Sequence, residues 1–457
     1  MGFVASNLPI RNIVITNPWS EKAKGDLGIL CGTIEMLQKI YPSAKIFVLR
    51  MLSDQEPQSN LITVEKLYRI QQVSSVIPLR IPSNTQKLKS DIDVKLKRFL
   101  ILLENLMGIS LAHFSVKFAH ILPDCTWRET LDILSNADLV VTRGGGYLHS
   151  PNLFTDFQNL IPTTFTLWLA KVLKRPIGLI GQTIWNLDGP LAKRIVLPLI
   201  TSSLLTTCRE YESYNYLKIK NFPMNKIRVA PCPSFAMARF TNENEIGDKI
   251  LEKEGLLNIS RPLVGMSIRW HSFGGDPSGQ KLLLYLTKMA TLARYLADRY
   301  GALTVIVPQN LSPGTLIDAD SLINEIFEEI TEKSYVKIVE TEYSPQELIA
   351  FYSRFEIFVG TRLHACIFAA RGGTFPIAIS YAPHKTSGVM QMLGLSSWVL
   401  DIHTMSLEEM INKVDSAWQN REKLSEQLKE TVQKLEKEAW NNILWLDQAL
   451  QKVKRKD

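Results

Sequence analysis

The chain has 457 residues, 46% apolar and 21% charged, with a formal net charge of +7. Those are the proportions of a soluble globular protein of two or three domains, with cores that need no covalent staples. Five scattered cysteines (Cys31, Cys125, Cys208, Cys232 and Cys366) lack any Cys-x-x-Cys pair, which excludes a disulfide frame and a zinc site.

The cysteines read as buried, reduced thiols, and a cytoplasmic location is expected. Residues Met1–Ile10 have no basic start and no long apolar core, so no signal peptide is read there. No uninterrupted apolar run is long enough to span a bilayer. The positive charge suits an anionic substrate or a membrane surface. No stripe of Arg and Lys interleaved with aromatics is present, so no nucleic-acid partner is expected.

Short apolar runs alternate with amphipathic stretches almost throughout, the pattern of parallel α/β sheets. Asn12–Thr16 reads as a strand, Leu27–Ile40 as a helix and Lys45–Leu49 as a second strand. Asp91–Leu122, within a segment of about 86–122, reads as an apolar-rich helical insertion with Lys95, Lys97 and Arg98 at its start. It suits packing on its own domain, with peripheral contact to the inner face of a membrane as the alternative. Strands follow at Asp138–Thr142 and Pro176–Ile180. Pro190–Leu205 reads as a helix, and Thr206–Cys208 and Ile227–Ala230 as strands. The polar stretch Thr241–Arg261 reads as a connection holding a short helix.

A second series of strands then begins, at Leu263–Arg269, Leu303–Val307, Tyr335–Val339, Phe355–Val359, Pro376–Ser380 and Trp398–Leu400. Ser406–Asp457 reads as charged helices with one apolar stripe, Trp418, Leu424, Leu428, Val432 and Leu435. The expected fold is α/β, with two Rossmann-like domains facing a cleft. The expected domains are 1–242 and 243–402, followed by a helical tail, 403–457. In open α/β sheets ligands sit at the carboxyl ends of strands.

The most informative stretch is Phe355-Glu-Ile-Phe-Val-Gly-Thr-Arg-Leu-His364. A buried strand turns at Gly360 and Thr361 into a helix over Leu363–Arg371. Arg362 and His364 thus stand at a helix N-terminus, where the macrodipole disfavours cations. An Arg and a His held there together indicate an anion site. The strand and helix do not depend on these two side chains, so alanine at either is expected to cost turnover and spare the fold.

Other motifs are weaker alone. Gly144-Gly145-Gly146 follows a strand, where glycines permit positive φ and close backbone approach, as a structural turn or an anion nest. Asp26, after Gly25, reads as an N-cap or as a general base. Arg209, Arg269 and Lys385 each follow a strand, and with Arg362 and His364 they suit a small, highly charged anion. No residues stand at metal-ligand spacing, so no metal is expected.

Taken in order, these motifs resemble the polysaccharide pyruvyl transferase family over roughly residues 12 to 402. The order is Gly25-Asp26, Gly144–Gly146, Pro176–Thr183, Cys208-Arg209-Glu210, Pro231–Phe235, Gly360–His364 and Tyr381–Lys385. The resemblance implies a glycosyltransferase-B-like fold and transfer of pyruvate from phosphoenolpyruvate to a sugar as a ketal, without a cofactor. It implies donor contacts from Arg362, Leu363 and His364, with Arg269 and Lys385 matching the family's further cations. Arg209 is expected with them. Catalysis is expected from His364, Arg362, Lys385 and Asp26. Acceptor recognition is expected from Gly144, Gly145, Gly146, Tyr147 and His149, the acceptor being a sugar or a polysaccharide precursor, lipid-linked or not. Ala23 and Leu148–Asn152 depart from the family's usual Asn and Asp, both on the acceptor side. Two alternatives stand: a nucleotide-sugar glycosyltransferase of the same fold, and an inactive carbohydrate-binding or scaffold homologue.

Overall fold

The computed structural model describes residues 4–51, 61–74, 91–119, 125–276, 278–311 and 320–455. Its internal contacts group the chain into two units. The first unit is Met1–Glu21, Ile29–Ala236 and Glu438–Asp457, and the second is Lys22–Gly28 and Met237–Lys437.

The first unit is built on a parallel sheet. Its strands are β1 (Asn12–Thr16), β2 (Lys45–Leu49), β3 (Gln71–Val73), β4 (Leu139–Thr142), β5 (Gly145–Leu148), β6 (Ile177–Ile184), β7 (Leu205–Cys208) and β8 (Ile227–Val229). Their order is β3-β2-β1-β4-β6-β7-β8, with β5 also pairing to β6. Val14 stands opposite Phe47 on one side and Val140 on the other. Parallel strands need crossover helices, which cover both faces, so the strands read as continuous apolar runs. Strand β6 is buried along its whole length.

The second unit repeats the plan. Its strands are β9 (Leu263–Ser267), β10 (Leu303–Ile306), β11 (Val336–Ile338), β12 (Ile357–Gly360), β13 (Phe375–Ser380) and β14 (Val399–Asp401). The order is β11-β10-β9-β12-β13-β14, all parallel. Strand order reverses between β9 and β12, as it does between β1 and β4 in the first unit. The helices between carry local start and stop signals. Ser344 and Glu347 form a capping box around Pro345 at the start of the Pro345–Tyr352 helix. Gly301, in the left-handed region, ends the Gln280–Tyr300 helix.

The expected fold class stands, and most strands lie within a residue or two of their sequence bounds. Two strands were missed. β3 is a three-residue edge strand, and β5 begins inside the triple glycine, where no apolar run marks it. β6 continues four residues past the expected end at Ile180, through polar Gln182 and Thr183, which are nevertheless buried. The Thr241–Arg261 connection holds its helix, Glu243–Lys253.

The insertion forms helices at Asp91–Phe114 and Val116–Ala119, and its ends, 86–90 and 120–122, lie outside the described residues. The tail is three helices, Leu407–Gln419, Arg421–Ala439 and Asn441–Lys454, and its expected stripe buries Leu428, Val432 and Leu435. By its contacts the tail does not stand alone. Residues 403–437 belong with the second unit and Glu438–Asp457 with the first.

In the first unit the last helix packs on the sheet. Leu446 is fully buried, and a Cβ built on Gly178 of β6 would meet its Cδ2 at 2.6 Å. Asn442 donates to the carbonyls of Pro231 and Ala439 at 2.9 and 2.8 Å. Leu446→Ala should therefore lower the unfolding free energy by about 2–5 kcal/mol, read from urea titration. A loss well under 1 kcal/mol would show that this helix does not complete the core.

Candidate functional site

The carboxyl ends of three neighbouring strands, β9, β12 and β13, carry most of the expected donor residues. Adjacent strands lie about 4.8 Å apart, so the turns that follow them are neighbours. Arg269 follows β9, Arg362 and His364 follow β12, and Tyr381 and Lys385 follow β13. The Tyr285 hydroxyl lies 2.8 Å from Thr361 Oγ1 in the β12 turn. The backbone N–H groups of Thr361 and Arg362 donate to the Ser267 carbonyl (3.0 Å) and Oγ (3.3 Å).

Arg362 is the N-cap residue of the Leu363–Gly372 helix, with extended backbone angles. Its guanidinium reaches Asp320, through Nε at 3.1 Å and through Nη2 as an ion pair. Asp320 is fully buried and also accepts from the backbone N–H groups of Gln309 (2.6 Å) and Asn310 (3.0 Å). Burial pushes the Asp320 carboxyl above its ordinary range, while Arg362 and the two N–H groups pull it back. Part of the negative charge expected at this helix start is thus supplied by the chain itself. The expectation that Arg362→Ala spares the fold is corrected accordingly: that change would strand a buried carboxylate.

His364 is buried, and its ring lies against Gly25. A Cβ on Gly25 would stand 2.3 Å from His364 Nδ1, so only glycine fits. This contact lies within the second unit, because Lys22–Gly28 belongs there. Three backbone links hold the segment. Lys24 N–H donates to the Gln309 carbonyl (2.9 Å), Leu311 N–H donates to the Lys22 carbonyl (3.0 Å), and Ala23 bridges Asn310. Lys22 and Lys24 both pair with Glu342. The helix begins at Lys24, three residues before its expected start at Leu27, so Asp26 lies in its first turn instead of capping it. Asp26, expected with the first domain, stands in the second unit, one residue from the His364 contact.

A cation–aromatic stack forms at the ends of β9, β13 and β14. The Arg269 guanidinium lies 3.7 Å over the Tyr381 ring, and Lys385 Nζ lies 6.0 Å from the same ring centre. His271 was not anticipated from sequence. Its ring sits 6.0 Å from Tyr381, 5.2 Å from His403 and 4.7 Å from Phe273. Its Nε2 is buried with no hydrogen-bond partner among the described residues. Burial, then Arg269 and His403, hold the His271 imidazole down to about 4, so it is neutral near pH 7.

The remaining expected residues stand in the first unit. Gly144 and Gly145 have φ of 99° and 121°, and a Cβ on Gly144 would meet the Ile180 and Gly181 carbonyls at 3.1 Å. Gly144 and Gly145 therefore let the chain close on β6, as a structural turn does, and Gly146 lies within β5. The Tyr147 hydroxyl accepts from Gln182 Nε2 at 3.1 Å. His149 stacks on Trp185, with centroids 5.3 Å apart and planes 14° apart, a half-buried aromatic pair. Trp185, just beyond β6, was also missed. Arg209, expected with the donor cations, is fully buried in this unit. Its Nε donates to Thr183 Oγ1 at 2.6 Å and lies 3.5 Å from Glu210, whose carboxyl burial raises to about 7. The four described cysteine side chains are buried and unbridged. Among the described residues no group of three or more His, Cys, Asp or Glu is arranged to hold a metal ion.

The polysaccharide pyruvyl transferase family model matches residues 24–383. The amylovoran biosynthesis protein AmsJ of Erwinia amylovora is 31% identical over 104 residues, 23% of this chain and 25% of that protein. The match therefore spans about a quarter of that relative's length. Among solved structures, a glycosyltransferase from Rickettsia africae ESF-5 is similar with a TM-score of 0.56 at 13% identity, over 98% of this chain and 99% of that one. Alr3699/HepE of Anabaena, in complex with UDP and glucose, has a TM-score of 0.55 at 10% identity, over 97% and 99%. UDP-GlcNAc 2-epimerase from Neisseria meningitidis has a TM-score of 0.52 at 12% identity, over 97% and 100%. At such identity the likeness is one of fold, two parallel-sheet α/β domains of the glycosyltransferase-B class.

Two outcomes follow from this geometry. Gly25→Ala should displace the His364 ring and cost about 1–3 kcal/mol from overpacking, seen as a lowered urea midpoint. An unchanged midpoint and unchanged His364 ring signals by NMR would refute the contact. Arg362→Ala should cost about 3–5 kcal/mol by leaving Asp320 buried without its partner. Asp320→Asn added to Arg362→Ala should restore most of that loss. Equal stability of single and double variants would show that the pair carries no such coupling.

Proposed function

The chain belongs to the polysaccharide pyruvyl transferase family, and from that premise we propose that it moves pyruvate from phosphoenolpyruvate onto a sugar. The acceptor is a residue of a polysaccharide or its precursor, the product is a ketal, and phosphate is released. The observation that carries this reading is the set of cations on three adjacent strand ends: Arg269, Arg362 with His364, and Lys385. A carboxylate and a phosphate three atoms apart need such spread donors. The β9/β12 reversal puts Arg269 and Arg362 at the place where open α/β sheets receive ligands.

The chemistry assigns each group a task. Protonation of C3 of the enol makes C2 electrophilic. One sugar hydroxyl adds to C2, phosphate departs with the C2–O electron pair, and a second hydroxyl adds to close the ketal. In this reading His364 gives the first proton. Arg269, Arg362 and Lys385 stabilise the departing phosphate. Asp26, beside Gly25, takes a hydroxyl proton. Neutral His271 is a hydrogen-bonding group on the donor side. Tyr147 and the His149–Trp185 stack offer faces for a sugar ring.

A second reading keeps the fold and changes the donor. The Alr3699/HepE structures include complexes with UDP and with UDP-glucose, which supports a nucleotide-sugar donor as the alternative.

Calorimetric titration separates the two. Phosphoenolpyruvate should bind, more weakly as salt rises. Incubation with phosphoenolpyruvate and a panel of hexosides should release phosphate and add the mass of a pyruvyl ketal to one of them. His364→Ala and Lys385→Ala should each lower kcat/KM by about 100-fold or more. Asp320→Asn/Arg362→Ala should fold yet remain as impaired. Binding of UDP-glucose without binding of phosphoenolpyruvate would overturn the pyruvyl transfer reading.

A further inference from the structure

The Cys208-Arg209-Glu210 motif has no task in the proposed chemistry, yet all three side chains are buried. Glu210 is the N-cap residue of the Tyr211–Ile219 helix. Buried polar groups are held by hydrogen bonds, and here the bonds lead toward one place. Glu210 accepts from Thr183 Oγ1 at 3.0 Å and from Ser213 Oγ. Arg209 Nε donates to the same Thr183 oxygen at 2.6 Å. Ser213 Oγ also accepts from the Ile184 backbone N–H at 2.8 Å. One turn along the helix, the Tyr216 hydroxyl accepts from the Leu187 backbone N–H at 2.6 Å. Those two N–H groups stand on either side of Trp185, which stacks on His149. Between them Asn186 is in the left-handed region, φ 47°, and its carbonyl accepts from the Ser150 N–H at 3.0 Å, beside His149.

We propose that Ser213, anchored by Glu210, and Tyr216 are positioning residues for the acceptor. They clamp the backbone on both sides of Trp185 and so fix the His149–Trp185 stack as a platform for the face of a sugar ring. The inference rests on the reading above, in which this stack meets the acceptor. Each clamp bond spans 29 residues, so neither belongs to a local turn. A loop that merely joined β6 to the next helix would leave such N–H groups to water or to its own carbonyls. Here side chains of a separate helix take both, and a left-handed Asn, a conformation uncommon outside glycine, completes the turn. A loose loop would have to be ordered as the sugar bound, which weakens affinity, whereas a clamped one binds as it stands. His149 and Trp185 are half-buried and so within reach of a ligand. The residues of the clamp and of the stack all lie within the first unit.

The test measures the two ligands separately on the full chain. Sugar affinity is read by saturation-transfer NMR with methyl glucoside, methyl galactoside and methyl mannoside, which needs no turnover, and phosphoenolpyruvate affinity by calorimetry. Tyr216→Phe removes only a hydroxyl, so the fold should persist, checked by circular dichroism. It should weaken the methyl glycoside that binds best by about tenfold and leave phosphoenolpyruvate affinity unchanged. Ser213→Ala should do the same. Trp185→Ala should weaken the sugar at least as much, and Tyr216→Phe added to it should cost nothing further, because the clamp then has no ring to place. Absence of phosphoenolpyruvate binding alongside these sugar results would sink the pyruvyl transfer reading and uphold the clamp. Four results would overturn the clamp itself: no methyl glycoside bound by the unaltered chain, unchanged sugar affinity in folded Tyr216→Phe, additive losses in the double variant, or equal loss of affinity for both ligands.

Discussion

A carboxylate wholly out of water is the constraint on which the functional end of the second unit depends. Asp320 must be compensated wherever it sits, because an isolated buried charge costs several kcal/mol. Two backbone N–H groups, from Gln309 and Asn310, and the Arg362 guanidinium compensate it. The backbone around Gln309 and Asn310 in turn holds Lys22, Ala23 and Lys24. That places Gly25, and the missing side chain of Gly25 makes room for His364. His364 stands two residues after Arg362, so the chain of contacts closes on itself. Disturbing any link shifts the two residues on which the proposed chemistry rests.

This closed circuit explains an oddity of the β12 turn. A helix N-terminus repels cations, yet an Arg caps this one. Asp320 provides the local negative charge that makes the arrangement stable. The pairing also removes most of the rotamer freedom of Arg362, the kind of support that a binding group needs if it is not to spend affinity on ordering. Tyr285, hydrogen-bonded to Thr361 Oγ1, ties the same turn to the Gln280–Tyr300 helix.

How much of this was legible follows from the physics of each part. The buried parallel strands were readable because four or five apolar residues in a row have few other uses in a chain of this composition. The Gly-Thr-Arg-Leu-His turn was readable because cations at a helix start demand an explanation. Asp320 was not readable: nothing in its neighbours separates it from a surface aspartate, and its importance comes from residues ten, eleven and forty-two positions away. The placement of Lys22–Gly28 was hidden for a similar reason. Those residues come soon after β1, and their contacts with Gln309–Leu311, Glu342 and His364 are what group them with the second unit. His271 stands between Trp270 and Phe273 just after β9, and Trp185 just after β6, and no period in either stretch marks the ring as a site residue.

The buried and stacked arginines separate by how each is held. Arg209 lies against Glu210 and Thr183 with its side chain out of water, an arrangement that neutralises the charge and suits a structural role. Arg269 instead rests on the face of Tyr381. A cation–π contact is made through the face of the guanidinium and orients it without cancelling its charge, whereas a carboxylate does both. Arg362 lies between these cases, oriented by a carboxylate that burial has made a reluctant anion. The stack of Arg269, Tyr381 and Lys385, with neutral His271 beside it, thus orients its cations over an aromatic face at the strand ends where the proposed donor would bind.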